Sequence, residues 1–188
     1  MDETRNKKLY VAITKTTTRL SKAIRIFTRY PYAHSSVSHY EDLRQMYSFA
    51  RQNPPHCFPC GFIVENAFEG LLGTCDTIPC KVFSISVTEE QYDMFCDIIE
   101  EFVTNKKIYK YNLVGFATMI LHMPIRRRNK YMCSQFVAYA LTKCGAIKFK
   151  KDYSLIRPQD FDKMSQFELV FQGDLKDYSK QKTLELVS

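Results

Sequence analysis

Tyr131-Met132-Cys133-Ser134-Gln135-Phe136-Val137-Ala138-Tyr139-Ala140-Leu141 sets a cysteine at the opening of an amphipathic helical pattern. Phe136, Val137, Ala140, Leu141 and Cys144 recur at the i, i+3, i+4 spacing of a helix with one buried face. Continued backwards, the stripe reaches Cys133, which falls in the first turn and points inward. Unpaired backbone N–H groups and the positive end of the helix dipole favour a thiolate there. Arg126, Arg127, Arg128 and Lys130 lie just upstream and add to that field. Cysteine is also a common core residue, so the helix alone does not separate a nucleophile from packing.

A nucleophile needs a base. Of four histidines, His39 leads into a charged loop, His56 sits among prolines and His122 ends an apolar segment. His34 opens a short alternating run, His34-Ser35-Ser36-Val37-Ser38, that reads as a strand.

The 188 residues, 45% of them hydrophobic, suit one globular domain with a real core. The formal charge is +7, with basic residues spread from Arg5 to Lys182. The densest cluster, 126–130, is too short to identify a nucleic-acid surface, so no specific nucleic-acid partner is expected. An odd count of seven cysteines and a charged, non-apolar opening, MDETRNKK, point to reduced thiols in the cytoplasm. The longest apolar run, 113–123, has 11 residues and falls short of the ~20 that a membrane-spanning helix needs. A buried helix or the wall of an apolar pocket is expected there.

Along the chain, 9–13 reads as a strand, and three threonines then cap a helix over 19–29 with a stripe of Leu20, Ala23, Ile24 and Phe27. Short extended segments follow at 35–40, 46–49, 62–65 and 81–87, as in an antiparallel meander. Thr88-Glu89-Glu90-Gln91 starts a helix that carries Tyr92, Phe95, Cys96, Ile99 and Phe102 and ends near Asn105. A second helix, 112–122, is apolar nearly all round, which predicts burial on most sides. Gly145 stops the cysteine helix, 169–171 reads as a last strand, and the tail from about Lys176 is expected to fray.

Strand, helix, histidine at the head of a second strand, meander, then a cysteine opening a late helix: this order resembles the circularly permuted NlpC-like branch of the papain-like cysteine hydrolases, which includes the lecithin-retinol acyltransferase relatives. The stretches that carry the resemblance are YPYAHSSVS (30–38), MYSFAR (46–51), GFIVEN (61–66), YMCSQFVAYAL (131–141) and SLIRPQDF (154–161). Together they extend over most of 8–175. The resemblance implies an α+β fold, a small antiparallel sheet with packed helices in the permuted papain-like arrangement, as one domain with a flexible basic C-terminal tail. It implies Cys133 as nucleophile, His34 as base and Glu65, at the end of GFIVEN, as the acid that orients the imidazole. The backbone N–H of Cys133 is expected in an oxyanion hole, with Tyr10 or Tyr111 adding a hydroxyl and Ser134 touching substrate. Ser35 departs from the apolar residue that usually follows the histidine, and leaves His39 as an alternative base.

The activity implied is hydrolysis or acyl transfer at an amide, ester or thioester of a small-molecule, peptide or lipid substrate, with no cofactor and no resident metal. A non-catalytic module that uses the same cleft to bind a lipid, peptide or acidic partner is the alternative. Cys57, Cys60, Cys75 and Cys80, beside His56, supply enough thiols for a tetrahedral zinc site, although only the first pair has zinc-like spacing.

Overall fold

The structure, a computed structural model, describes residues 6–16, 19–51 and 60–187. The first strand, β1 (Lys7–Thr14), explains the rest of the sheet. Leu9, Val11 and Ile13 are buried on one of its faces, and Tyr10 and Ala12 on the other. A strand wet on neither side belongs in the middle of a sheet with both faces covered. β1 accordingly lies between two antiparallel neighbours, β2 (His34–Ser38) and β5 (Pro79–Val87). Outward from β2 come β3 (Met46–Arg51), β4 (Cys60–Glu65), β6 (Lys110–Tyr111) and β7 (Lys130–Tyr131); outward from β5 comes β8 (Glu168–Asp174). All neighbours are antiparallel except β6 and β7. The fold is therefore α+β, on an eight-stranded open sheet larger than the small meander expected.

Two helices cover the face that Leu9, Val11 and Ile13 present. On α3 (Glu89–Thr104), Phe95, Ile99 and Phe102 are buried while Tyr92 and Cys96 are partly exposed. Its start is a reciprocal cap: Thr88 Oγ1 accepts from the Gln91 N–H at 3.2 Å, and Gln91 Oε1 accepts from the Thr88 N–H at 3.1 Å. Beside it runs α5 (Cys133–Lys143), which Gly145 ends with φ +75°. Phe136, Val137, Ala140 and Leu141 join Phe49, Phe62 and Phe102 in one aromatic-rich core. The sequence predicts one buried stripe on α5; the helix is buried on most sides, because α3 and the 3-10 turn Tyr153–Leu155 close around it. A short helix, α6 (Pro158–Phe161), plugs the same core with Phe161. On the opposite face α2 (Gly70–Gly73) contributes Leu72 to a smaller cluster with Tyr10 and Met46.

Three expectations are corrected. The segment 113–123, α4 (Leu113–Ile120) and the turn after it, is not enclosed: Gly115, Thr118 and Met119 face the protein, but Leu113 and Val114 are about half exposed and Leu121 is 66% exposed. This helix is strung between two two-residue strands at the sheet edge, and among its described side chains buried and exposed ones alternate by face. In α1 (Arg19–Thr28), Phe27, expected on the buried stripe, is 44% exposed, while Thr17 and Thr18 lie outside the described residues. The tail does not fray. It forms α7 (Leu175–Val187), anchored by buried Leu175, Tyr178 and Ser179 at i, i+3, i+4 and by Lys182 Nζ, 3.0 Å from Glu41 Oε1. Polar residues around those three positions hide the stripe in the sequence.

Docking of α7 makes Tyr178 a core residue, only 2% exposed, whereas Leu184 is 72% exposed. Tyr178→Ala is expected to lower unfolding free energy by about 3 kcal/mol, and Leu184→Ala by less than about 0.5 kcal/mol, in urea titrations. Equal small effects would mean that the tail is not part of the folded unit.

Candidate active site

His34 is the first residue of β2 and Cys133 the first of α5, so two element ends meet. The Cys133 sulfur lies 4.0 Å from the carbonyl oxygen of Ala33, the residue before the histidine. His34 Nε2 is 2.7 Å from Glu65 Oε1 at the end of β4, and both side chains are about nine-tenths buried. The thiol also acts electrostatically on that ring and helps to raise its pKa. Cys133, at the carbonyl of the residue before His34, and Glu65, on the ring itself, therefore converge on one place.

Burial by itself would lower the His34 pKa. The Glu65 charge, hydrogen bonds to Cys133 and Glu65, and the negative charge available at Cys133 outweigh it and push the imidazole up to about 10. Burial likewise pushes Glu65 up, but the His34 charge, its hydrogen bond and one from Ser36 win, and Glu65 is held below its usual range. The buried pair therefore exists as imidazolium and carboxylate through the neutral range.

Ser36 was not anticipated. Its hydroxyl donates to Glu65 Oε1 at 2.6 Å, so the carboxylate oxygen that receives His34 is fixed from a second direction. The signal was present in the sequence: residues 34 and 36 lie on one face of a strand.

Gln135 was also missed, though a glutamine at the third position of a helix is a known capping residue. Its Oε1 accepts from the Met132 N–H at 2.9 Å and from Asn112 Nδ2 at 3.2 Å, while its Nε2 donates to the Ser154 carbonyl at 2.7 Å. These bonds hold the turn that carries Cys133. The fit around them is close, since a Cβ on Gly115 would stand 2.6 Å from Asn112 Nδ2 and 3.1 Å from Gln135 Nε2.

The remaining candidates divide. For Tyr111, burial first, then the charges at Cys133 and Cys60, raise its pKa well above the ordinary tyrosine value, so its hydroxyl stays protonated. Tyr10 does not belong to the site. It pairs with Ser38, at the far end of β2 from His34, and its hydroxyl bonds Glu41 within the cluster under α7. Ser134 is committed to packing: its buried hydroxyl donates to the Ile156 carbonyl at 2.6 Å. His39 follows the end of β2 opposite His34 and lies among the rings of Tyr40, Tyr47, Tyr92 and Phe95, away from the end of the strand that meets Cys133, while burial and Arg44 lower its pKa.

A cleft of about 180 Å³ opens beside Glu65 between Arg51, Ile63, Glu69 and Leu71. It adjoins the acidic member of the site rather than Cys133. The four-cysteine zinc arrangement is not assembled, because β3, β2 and β1 all lie between Cys60 on β4 and Cys80 on β5. Strands ~4.8 Å apart put those thiols far beyond a shared metal. Cys57 and His56 lie outside the described residues.

No model of a known protein family matches the chain, and no curated protein matches it.

The buried pair makes stability depend on pH with a definite sign. A raised His34 pKa contributes fully below the unfolded value of ~6.5 and is lost as pH rises towards about 10; the depressed Glu65 pKa contributes above ~4.5 and is lost in acid. Glu65→Gln is expected to cost about 2 kcal/mol near pH 6, shrinking on both sides, in thermal melts from pH 4 to 10. A cost that does not vary with pH would show that the two groups are not paired as ions.

Proposed function

We propose that this chain is a cysteine-dependent hydrolase or acyltransferase that attacks an amide, ester or thioester carbonyl through Cys133, in the permuted papain-like arrangement. The observation that carries the proposal is the His34 imidazole held by Glu65 at 2.7 Å, with the Cys133 sulfur 4.0 Å from the carbonyl oxygen of the residue before it. The order of the elements supports it, since the histidine strand precedes the cysteine helix as in the permuted branch.

In this reading the imidazolium stabilises the Cys133 thiolate across a buried contact. The sulfur attacks the carbonyl carbon, a C–S bond forms, and the carbonyl electron pair moves to oxygen. The Cys133 N–H, which has no acceptor within its own helix, and the Tyr111 hydroxyl stabilise that oxyanion. Collapse expels the leaving group, which takes its proton from His34, and a thioester remains on Cys133. Water or an acceptor nucleophile then gives its proton to His34, attacks the thioester and releases the acyl group. Glu65 keeps the ring orientation through both halves and stabilises the positive charge whenever His34 carries the proton, and Ser36 keeps Glu65 in place.

A binding module in the same cleft is a second reading, favoured by the low exposure of Cys133, 3%. Iodoacetamide labelling read cysteine by cysteine separates the two. Cys133 is expected to label at pH ~6 at least about tenfold faster than Cys144, and to lose that advantage in His34→Ala. Labelling of Cys133 no faster than Cys144, unchanged in His34→Ala, would overturn the enzyme reading.

A further inference from the structure

Eleven of the 27 basic residues and none of the 20 acidic ones lie between 102 and 151, so the chain's positive charge is segregated although its basic residues are not. The fold concentrates part of it. β6 and β7 run in parallel with Lys110 beside Lys130, and Arg127 bridges to Lys130. The Lys110 N–H donates to the Asn129 carbonyl and the Asn112 N–H to that of Tyr131, each at 2.9 Å. The excursion 112–129 therefore leaves and returns at one place on the sheet edge.

That excursion carries the apolar surface which the fold does not cover. Leu113, Val114, Leu121, Met123 and Ile125 are exposed, and Ile108 just before β6 is 54% exposed. Lys106, Lys107, Lys110, Arg128 and Lys130 surround them, and among the described residues none of these five is in an ion pair. Apolar side chains on a soluble surface cost free energy unless something covers them, and clustered ones mark an interaction site. An apolar patch flanked by cations that outnumber its acids, Asp152 being paired with Arg126 and Glu101 accepting from the Tyr109 hydroxyl, complements a surface that is anionic outside and hydrocarbon beneath.

We propose that residues 106–130 form a docking surface for an anionic membrane, with the side chains of Leu121, Met123 and Ile125 entering the acyl boundary while the flanking lysines and arginines meet lipid phosphates and carboxylates. No helix among the described residues is long and apolar enough to cross a membrane, so the contact is peripheral. A nucleic acid would satisfy the cations but would leave the aliphatic side chains without a partner. The surface is coupled to the site. Asn112 at the start of α4 bonds Gln135 of α5, and Arg157 Nη2 donates to the Met119 carbonyl at 3.0 Å, so the patch is held against the element that carries Cys133.

Flotation of the full chain with vesicles at ~0.15 M salt tests this, using phosphatidylcholine alone against a roughly 7:3 mixture with phosphatidylserine. The chain is expected to float with the mixed vesicles and to stay behind with phosphatidylcholine. Leu121→Asp/Met123→Asp and, separately, Lys110→Glu/Arg128→Glu are expected to weaken flotation by about tenfold or more, with unchanged circular dichroism. Cys133→Ala should float like the parent, because docking does not depend on the chemistry at the sulfur. Failure to float with the mixed vesicles would overturn the proposal. So would retention on a duplex oligonucleotide that Leu121→Asp/Met123→Asp leaves intact while vesicles are ignored.

Discussion

Everything proposed for this molecule depends on how the first turn of α5 is held. A helix begins with backbone N–H groups that no residue of its own helix can accept, and in a buried helix those groups must be met by the protein. Gln135 meets that need from inside the turn and at the same time ties it to Asn112 and Ser154. Three segments far apart in sequence, around 112, 133 and 154, are thereby locked to one amide side chain. Cys133 inherits its position from that lock, and Ser134, bonded to the Ile156 carbonyl, makes the same turn rigid from the other side.

The electrostatics follow from the placement. An imidazole in a nine-tenths buried position would ordinarily be neutral, because removal from water penalises the charge. Glu65 reverses that outcome, and the His34 charge and hydrogen bond, with a smaller contribution from Ser36, lower the Glu65 pKa where burial alone would have raised it. Each charge is tolerable only because the other is there, so the pair acts as a unit. Tyr111, whose phenol is kept protonated by burial and by the charge at Cys133, is the natural donor in that surrounding. The apolar, cationic excursion 112–129 grows from the same two-residue strands that deliver Tyr111 and Tyr131, so the site and the exposed patch share one support.

The local elements were legible in the sequence. Alternation of apolar residues, the Thr88–Gln91 cap, the Gly145 stop and the cysteine at a helix start are all written in short windows, because propensity, capping and periodicity act over a few residues. A histidine at a strand head and a cysteine at a helix head are local features of the same kind, whereas Glu65 was pointed to only by the resemblance. What the sequence by itself determined was which elements form and which residues could carry chemistry.

Which faces are covered was decided only in three dimensions. The apolar composition of 113–123 predicts burial, yet the segment sits at a sheet edge where Gly115, Thr118 and Met119 are buried while Leu113, Val114, Leu121 and Met123 are exposed. The polar tail predicts fraying, yet three side chains one turn apart find a waiting surface on the sheet. Tyr10 and Tyr111 look alike as hydroxyl donors in sequence, but the register of β1 against β2 takes one to the far end of the strand from His34, and the pairing of β6 with β4 carries the other to the strand that ends at Glu65. Burial and proximity depend on what the rest of the chain places opposite a residue, and no window of sequence contains that partner.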